Sequence, residues 1–237
     1  MSVQPPVRNR LLRHCEASDF ARLEPHLVPI QLDLRQSLIS PNEPIDQLVF
    51  PESGFVSIVT GRPGRQTEIG LIGNEGVVGA VPVLLAGDRT PDAHFVQAAG
   101  HGLSIGVEAL RAATEASKSL EKLLLSFIQT LMIQTAQTAY ANLSHTLDTR
   151  LARWLLMCQD RLGGSELAVT HEFLGIMLGV QRSSVTVAIQ MIEGNQLIRA
   201  RRGRIEVLDR PGLEAAAGDS YGLPEAEYTR LIGDSTV

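Results

Sequence analysis

Long apolar runs are missing from this chain of 237 residues: none approaches the roughly 20 that a membrane-spanning helix needs. The opening segment MSVQPPVRNRLLRHCEAS meets basic and acidic residues at once and has no apolar core, so no secretory signal is expected there. Cysteine is scarce. Cys15 and Cys158 are too few and too far apart for a disulfide scaffold, a four-thiolate zinc site or a cysteine-held iron–sulfur cluster, and they suit a reducing cytoplasm. Signatures of metal and phosphate chemistry are also lacking. There is no His-Glu-x-x-His, no nucleophile elbow, no phosphate loop and no His-x-His pair, so no metal and no cofactor is expected. An overall excess of positive charge is missing too, and a net charge of −5, taken alone, argues against a nucleic-acid partner.

The distribution of that charge reverses the argument. Residues 144–210 hold nine Arg against seven Asp and Glu, whereas residues 1–143 and the tail from 211 are both acidic on balance. Arg199, Arg201, Arg202 and Arg204 fall within six positions. A basic stripe on an acidic chain is an electrostatic footprint for a polyanion.

Residues 8–30 carry Leu11, Leu12, Phe20, Leu23 and Leu27 at roughly helical spacing. From Ile30 to Ile105 the texture changes to short apolar or alternating runs, among them Gln47–Phe50, Phe55–Val59, Glu68–Ile72, Val77–Leu85 and His94–Ala98. Turn formers such as Pro51-Glu52-Ser53-Gly54 and Gly73-Asn74-Glu75-Gly76 separate them, which predicts an antiparallel sandwich or barrel. Val107–Leu162 then contains no Pro or Gly and reads as helix. Leu120, Leu124, Phe127 and Leu131 step by four, three and four, and Gln134 and Thr138 continue the line as a coiled-coil seam for a homodimer. A second line through Leu123, Ile128, Met132 and Thr135 is expected to face the barrel. Cys158, on a further amphipathic helix, reads as a buried apolar residue.

The strongest signal lies in residues 167–208. Thr170 is placed to cap a short helix, Gly179 supplies a tight turn, and a second helix from about Arg182 buries Val185, Ile189 and Ile192. Gln196–Ala200, the basic turn Arg201-Arg202-Gly203, and Arg204–Leu208 then read as a β-hairpin, so the whole predicts a winged helix-turn-helix. Gln181, Arg182, Ser183 and Ser184 are short or forked polar groups suited to a major groove. The helix start at Thr170 and His171 offers free N–H groups to a phosphate, and the wing arginines can neutralise others.

Over residues 8–210 this order, and especially THEFLGIMLGVQRSSV followed by IEGNQLI, resembles the Crp/Fnr family of bacterial transcription regulators. The resemblance implies an α+β chain: a jelly-roll-like antiparallel β-roll with an N-terminal helix (1–118), a dimerisation helix (119–144) and a winged helix-turn-helix with tail (145–237). It implies a homodimer on a near-palindromic DNA duplex, with RNA polymerase as a further partner and no membrane. Carried over by position, Arg182, Ser183 and Val187 face bases, while Thr170, His171, Gln181, Ser184, Arg201, Arg202 and Arg204 face phosphates. Ser183 stands where family members often have Glu, and Val187 where some have Arg, so the preferred site should differ from the best-known consensus. The effector region departs further. Gly79 and Ala80 fall where cyclic-AMP-binding members have Gly-Glu, and Asp92, near Arg89 and Thr90, falls where they have the phosphate-binding Arg. The roll is therefore expected to sense something other than cyclic AMP, or nothing. Two other functions compete: a cupin-like metal enzyme using histidines such as His94 and His101, and a regulator that binds only protein. The tail from Pro211 fits either an adjunct helix or a mobile end.

Overall fold

The computed structural model describes residues 7–62 and 65–233. The chain divides into two compact units, each interrupted in sequence. The first comprises 1–58, 72–132 and 225–237; the second comprises 59–71 and 133–224.

In the first unit the N-terminal helical reading resolves into two short helices, α1 (Arg10–Arg13) and α2 (Ala17–Leu23). Asn9 caps α1 by accepting from the Leu12 N–H, and its buried amide donates to Pro51 O and Gly76 O. Seven strands follow along the chain: β1 (Val28–Leu32), β2 (Ser37–Ile39), β3 (Gln47–Pro51), β4 (Phe55–Arg62), β5 (Arg65–Ile72), β6 (Ala93–Ala98) and β7 (Gly100–Gly106), with the end of β4 and most of β5 counted in the second unit. They form two antiparallel sheets, ordered β1-β7-β3 and β2-β6-β4-β5, the β-roll expected from the sequence. Leu32, Leu48, Phe50, Val56 and Ile105 are fully buried between strands and helices.

One apolar run is not a strand. Val77–Leu85 contributes only an isolated bridge at Val78, after which Gly79 turns the chain at φ +89° into α3 (Ala80–Leu84). Short apolar runs do not distinguish strand from buried helix, and a Gly in the left-handed region ends an extended run.

The region without Gly or Pro divides into α4 (Val107–Ala116), α5 (Lys118–Ser144) and α6 (Leu147–Leu162). Serine makes the first break: Ser117 is extended, and its Oγ accepts from the Leu120 N–H to start α5.

The proposed seam of α5 does not face outward. Leu120, Leu124, Phe127, Leu131 and Gln134 are all at most 7% exposed within a single chain. Phe127 packs on Gly76, where a Cβ would fall 2.2 Å from the ring. Gln134 clamps the Leu71 backbone, accepting from its N–H at 2.6 Å and donating to its carbonyl at 3.2 Å. Thr138 is half-buried and accepts from Arg153. The exposed stripe is Leu125, Gln129, Met132, Ala136, Ala139 and Leu143, which keeps the same four-and-three stepping. Periodicity identified two stripes, but Met132, expected inside, is 62% exposed.

The second unit gathers α6, β8 (Glu166–Ala168), α7 (His171–Leu178), α8 (Arg182–Gly194), β9 (Ile198–Arg201), β10 (Arg204–Val207) and α9 (Arg210–Ala217) around a core of Leu151, Leu155, Cys158, Leu174, Val185, Ile189 and Leu213. Cys158 is fully buried, and burial pushes its thiol well above the usual range, so it is packing, not a nucleophile. Trp154 donates from Nε1 to the buried Glu68 Oε1 at 2.7 Å, joining α6 to β5. A last helix, α10 (Leu223–Leu231), closes the described chain. Among the described residues no helix is long and apolar enough to cross a membrane.

Candidate nucleic-acid interface

Helices α7 and α8 are joined by a turn that two glycines make possible. Gly179 ends α7 at φ +66°, a conformation that costs other residues about 1 kcal/mol or more. Gly175 lets the next segment pass close: a Cβ there would lie 2.9 Å from Val180 O. Thr170 Oγ1 caps α7 by accepting from the Phe173 N–H at 3.2 Å, and Glu172 complements the dipole in the first turn.

This scaffold buries Val185, Ala188, Ile189 and Ile192 on one side of α8 and leaves Arg182, Ser183, Ser184, Val187 and Gln190 exposed on the other. Gln181 precedes the helix with its side chain free of capping duty and exposed. His171 Nδ1 lies 3.0 Å from Thr186 Oγ1, whose hydroxyl donates to Arg182 O. That chain of bonds fixes the start of α7 against the first turn of α8. Of the residues expected at bases and phosphates on the two helices, Thr170, Gln181, Arg182, Ser183, Ser184 and Val187 are exposed, and His171 is half-buried beside Thr186.

The hairpin β9–β10 pairs Arg201 with Arg204 around the Arg202-Gly203 turn, and β8 extends the sheet on the other side of β10. Its four arginines are not equivalent. Arg204 meets Glu166 at 2.7 Å and Arg199 meets Glu206 at 3.2 Å. Arg201 and Arg202 are exposed at the tip with no carboxylate partner among the described residues. Sequence reasoning counted arginines but not the glutamates that strand pairing sets against them. Glu193 was missed as well: its Oε1 accepts from the Ala200 N–H at 2.7 Å and ties the end of α8 to the wing. Its place in the IEGNQLI segment was the available signal.

In the roll, the four effector candidates do not share one environment. Gly79 faces Ile39, Ile45 and Leu48, and Ala80 is buried, whereas Arg89 is exposed and forks onto its neighbour Asp88 through two bonds of 2.9 Å. Thr90 Oγ1 accepts from the Asp92 N–H. The two histidines of the metal reading also differ. His94 is buried on β6, and burial lowers it to about 4; its Nδ1 has no partner among the described residues. His101 is exposed on β7, with Nδ1 at 2.7 Å from Ser53 Oγ. Among the described residues no group of three or more His, Cys, Asp and Glu is placed to hold a metal ion.

Residues 149–216 match the Crp-like helix-turn-helix domain family. No curated protein matches the chain at a significant level. Among solved structures, the chain is similar to a Crp/Fnr-family transcriptional regulator from Eubacterium rectale, at 17% identity over 87% of this chain and 97% of that one, with a TM-score of 0.69. It is similar to FixK2 from Bradyrhizobium japonicum at 15% identity over 81% of this chain and 98% of that one, also at 0.69. It is similar to the c-di-GMP-responsive regulator CLP of Xanthomonas campestris at 18% identity over 81% and 99%, at 0.66. At such identities the shared property is the fold. The chain thus carries a Crp-like helix-turn-helix domain on the fold of the Crp/Fnr-type transcription regulators.

Proposed function

We propose that the protein is a homodimeric, sequence-specific DNA-binding transcription regulator of the cytoplasm, with α8 reading the major groove. The observation that carries this is the exposed first turn of α8. Arg182, Ser183 and Ser184 project from a helix held by the Thr170 cap, the Gly175 approach and the His171–Thr186 bond. Such residues gain nothing from packing and have the donor geometry for base edges. Arg182 is assigned to guanine O6 and N7, Ser183 to a neighbouring base, and Val187 to a thymine methyl group. Thr170, His171, Gln181, Ser184, Arg201 and Arg202 are assigned to phosphates. Arg204 and Arg199 serve chiefly to hold the wing, because carboxylates already neutralise them.

The second copy is assigned to the exposed stripe of α5. Leu125, Met132 and Leu143, with Ala136 and Ala139 between them, form an apolar seam that a symmetric partner would cover. Two copies then set their α8 helices roughly 34 Å apart, on half-sites one helical turn apart. RNA polymerase is the proposed downstream partner. The effector is proposed to be other than cyclic AMP: Ala80 offers no acceptor for a ribose hydroxyl, and Arg89 is engaged with Asp88.

The test is selection of bound duplexes from a random pool, followed by titration of wild type and Arg182→Ala on the selected and a scrambled duplex. Arg182→Ala is expected to lower selected-site affinity by about 1–3 kcal/mol per half-site and scrambled-site affinity far less. Equal losses on both duplexes would refute the assignment.

A further inference from the structure

The helix α10 belongs to the roll unit, although the chain enters it from the helix-turn-helix unit. Tyr228 is 6% exposed and donates from its hydroxyl to Glu75 O at 2.9 Å. The Arg10 guanidinium lies 5.0 Å from the centre of its ring. Farther on, a Cβ on Gly233 would lie 3.1 Å from His14 Nε2.

Glu75 belongs to the Gly73–Gly76 turn, which has other close partners in the same unit. Arg10 donates from its backbone N–H to Asn74 O at 2.6 Å, and Asn9 Nδ2 donates to Gly76 O at 2.9 Å. Gly76 lies flat against the Phe127 ring of α5. Two residues later Val78 bridges Val49, and Gly79 opens α3. Phe127 and the start of α3 thus both adjoin the turn on which Tyr228 is seated.

The other side of the tail is equally anchored, in the second unit. Ser220 is fully buried; Arg153 Nε donates to its carbonyl at 2.9 Å, and Gln137 Nε2 donates to Asp219 O at 2.8 Å. Residues 221–227 join the two anchored residues, and from Leu223 on they belong to α10 itself.

We propose that α10 is a regulatory strap: a short covalent coupling, seated on the Gly73–Gly76 turn through Tyr228, by which the packing state of the roll biases the DNA-binding domain. This rests on the regulator reading above, and it assigns a role to the segment after the matched domain. Two states of the turn, strap seated and strap released, would differ in the freedom left to the domain at its other end.

Hydrogen exchange and DNA titration on the full-length protein test it. In wild type the amides of 226–233 are expected to be protected. Tyr228→Phe, which keeps the ring and loses one hydrogen bond, should speed their exchange about fivefold. Tyr228→Ala and truncation after Gly222 should each change selected-duplex affinity about fivefold or more, in the same direction, with scrambled-duplex affinity unchanged. Unprotected amides in wild type, or wild-type affinity in both Tyr228→Ala and Tyr228→Phe, would overturn the proposal; these two variants decide it if the truncation does not fold. Failure of the wild type itself to prefer the selected duplex would instead refute the regulator reading, and the exchange measurement would still decide whether the strap is seated.

Discussion

Acidification should weaken the roll through one residue, His94. Its imidazole is 6% exposed on β6, and burial holds it at about 4, against a normal value near 6.5, with the Asp92 charge only partly opposing the shift. The folded protein keeps the ring neutral between these values while the unfolded chain binds a proton. Stability contributed by neutral His94 is therefore complete above about pH 6.5 and is lost as pH falls toward 4. A difference of about 2.5 units corresponds to about 3 kcal/mol across that window. Urea denaturation at steps from pH 7.5 to 4, followed by circular dichroism, would show this as a falling midpoint. His94→Gln removes the titration but leaves every carboxylate in place, so the difference between the two proteins isolates the histidine. The variant should be less stable at pH 7.5, or similar, and should lose about 3 kcal/mol less on acidification. Parallel curves for the two proteins would refute the reasoning.

Other consequences concern the second unit and α5. Met132→Glu should leave the monomer folded and abolish the dimer in sedimentation, while Leu124→Ala should cost about 2–5 kcal/mol of stability because Leu124 is 1% exposed within one chain. Gly175→Val should lower the melting temperature by the equivalent of about 1–3 kcal/mol, since its Cβ would press on Val180 O, and should weaken operator binding with it. Changing Arg201 and Arg202 together to Ala should reduce the salt dependence of binding by at most about 3.6 in log–log slope for a dimer, and Arg199→Ala by distinctly less because of its Glu206 partner. Gel-shift titrations from 50 to 200 mM salt would read the difference, and equal slopes for the two variants would contradict the assignment of the tip arginines.

The helix-turn-helix was readable because its determinants are local. The Thr170 cap, the Gly179 turn and the buried steps from Val185 to Ile192 are separated by fewer than a dozen residues each, so spacing alone placed Arg182 and Ser183 on an exposed first turn. The strands of the roll were readable for the same reason, from turn formers between short apolar runs. Val77–Leu85 was not, because a run that short is compatible with either period and only the packing of Val78 and Ala80 selects helix after Gly79. The break at Ser117 was hidden because a serine cap needs no Gly or Pro.

Partner choice was beyond the sequence. Two stripes on α5 were visible, but which of them the chain keeps for itself depends on Gly76 lying against Phe127 and on Leu71 bonding Gln134, contacts 51 and 63 residues apart along the chain. The wing arginines were visible as a charge cluster, while their division into paired and free depended on the strand register that sets Glu166 and Glu206 beside two of them. The amino-acid order determined each helix, cap and turn through interactions within a few residues. The tertiary structure alone decided what each surface faces, and it seated Tyr228 on Glu75, because burial and charge pairing are properties of distant residues brought together.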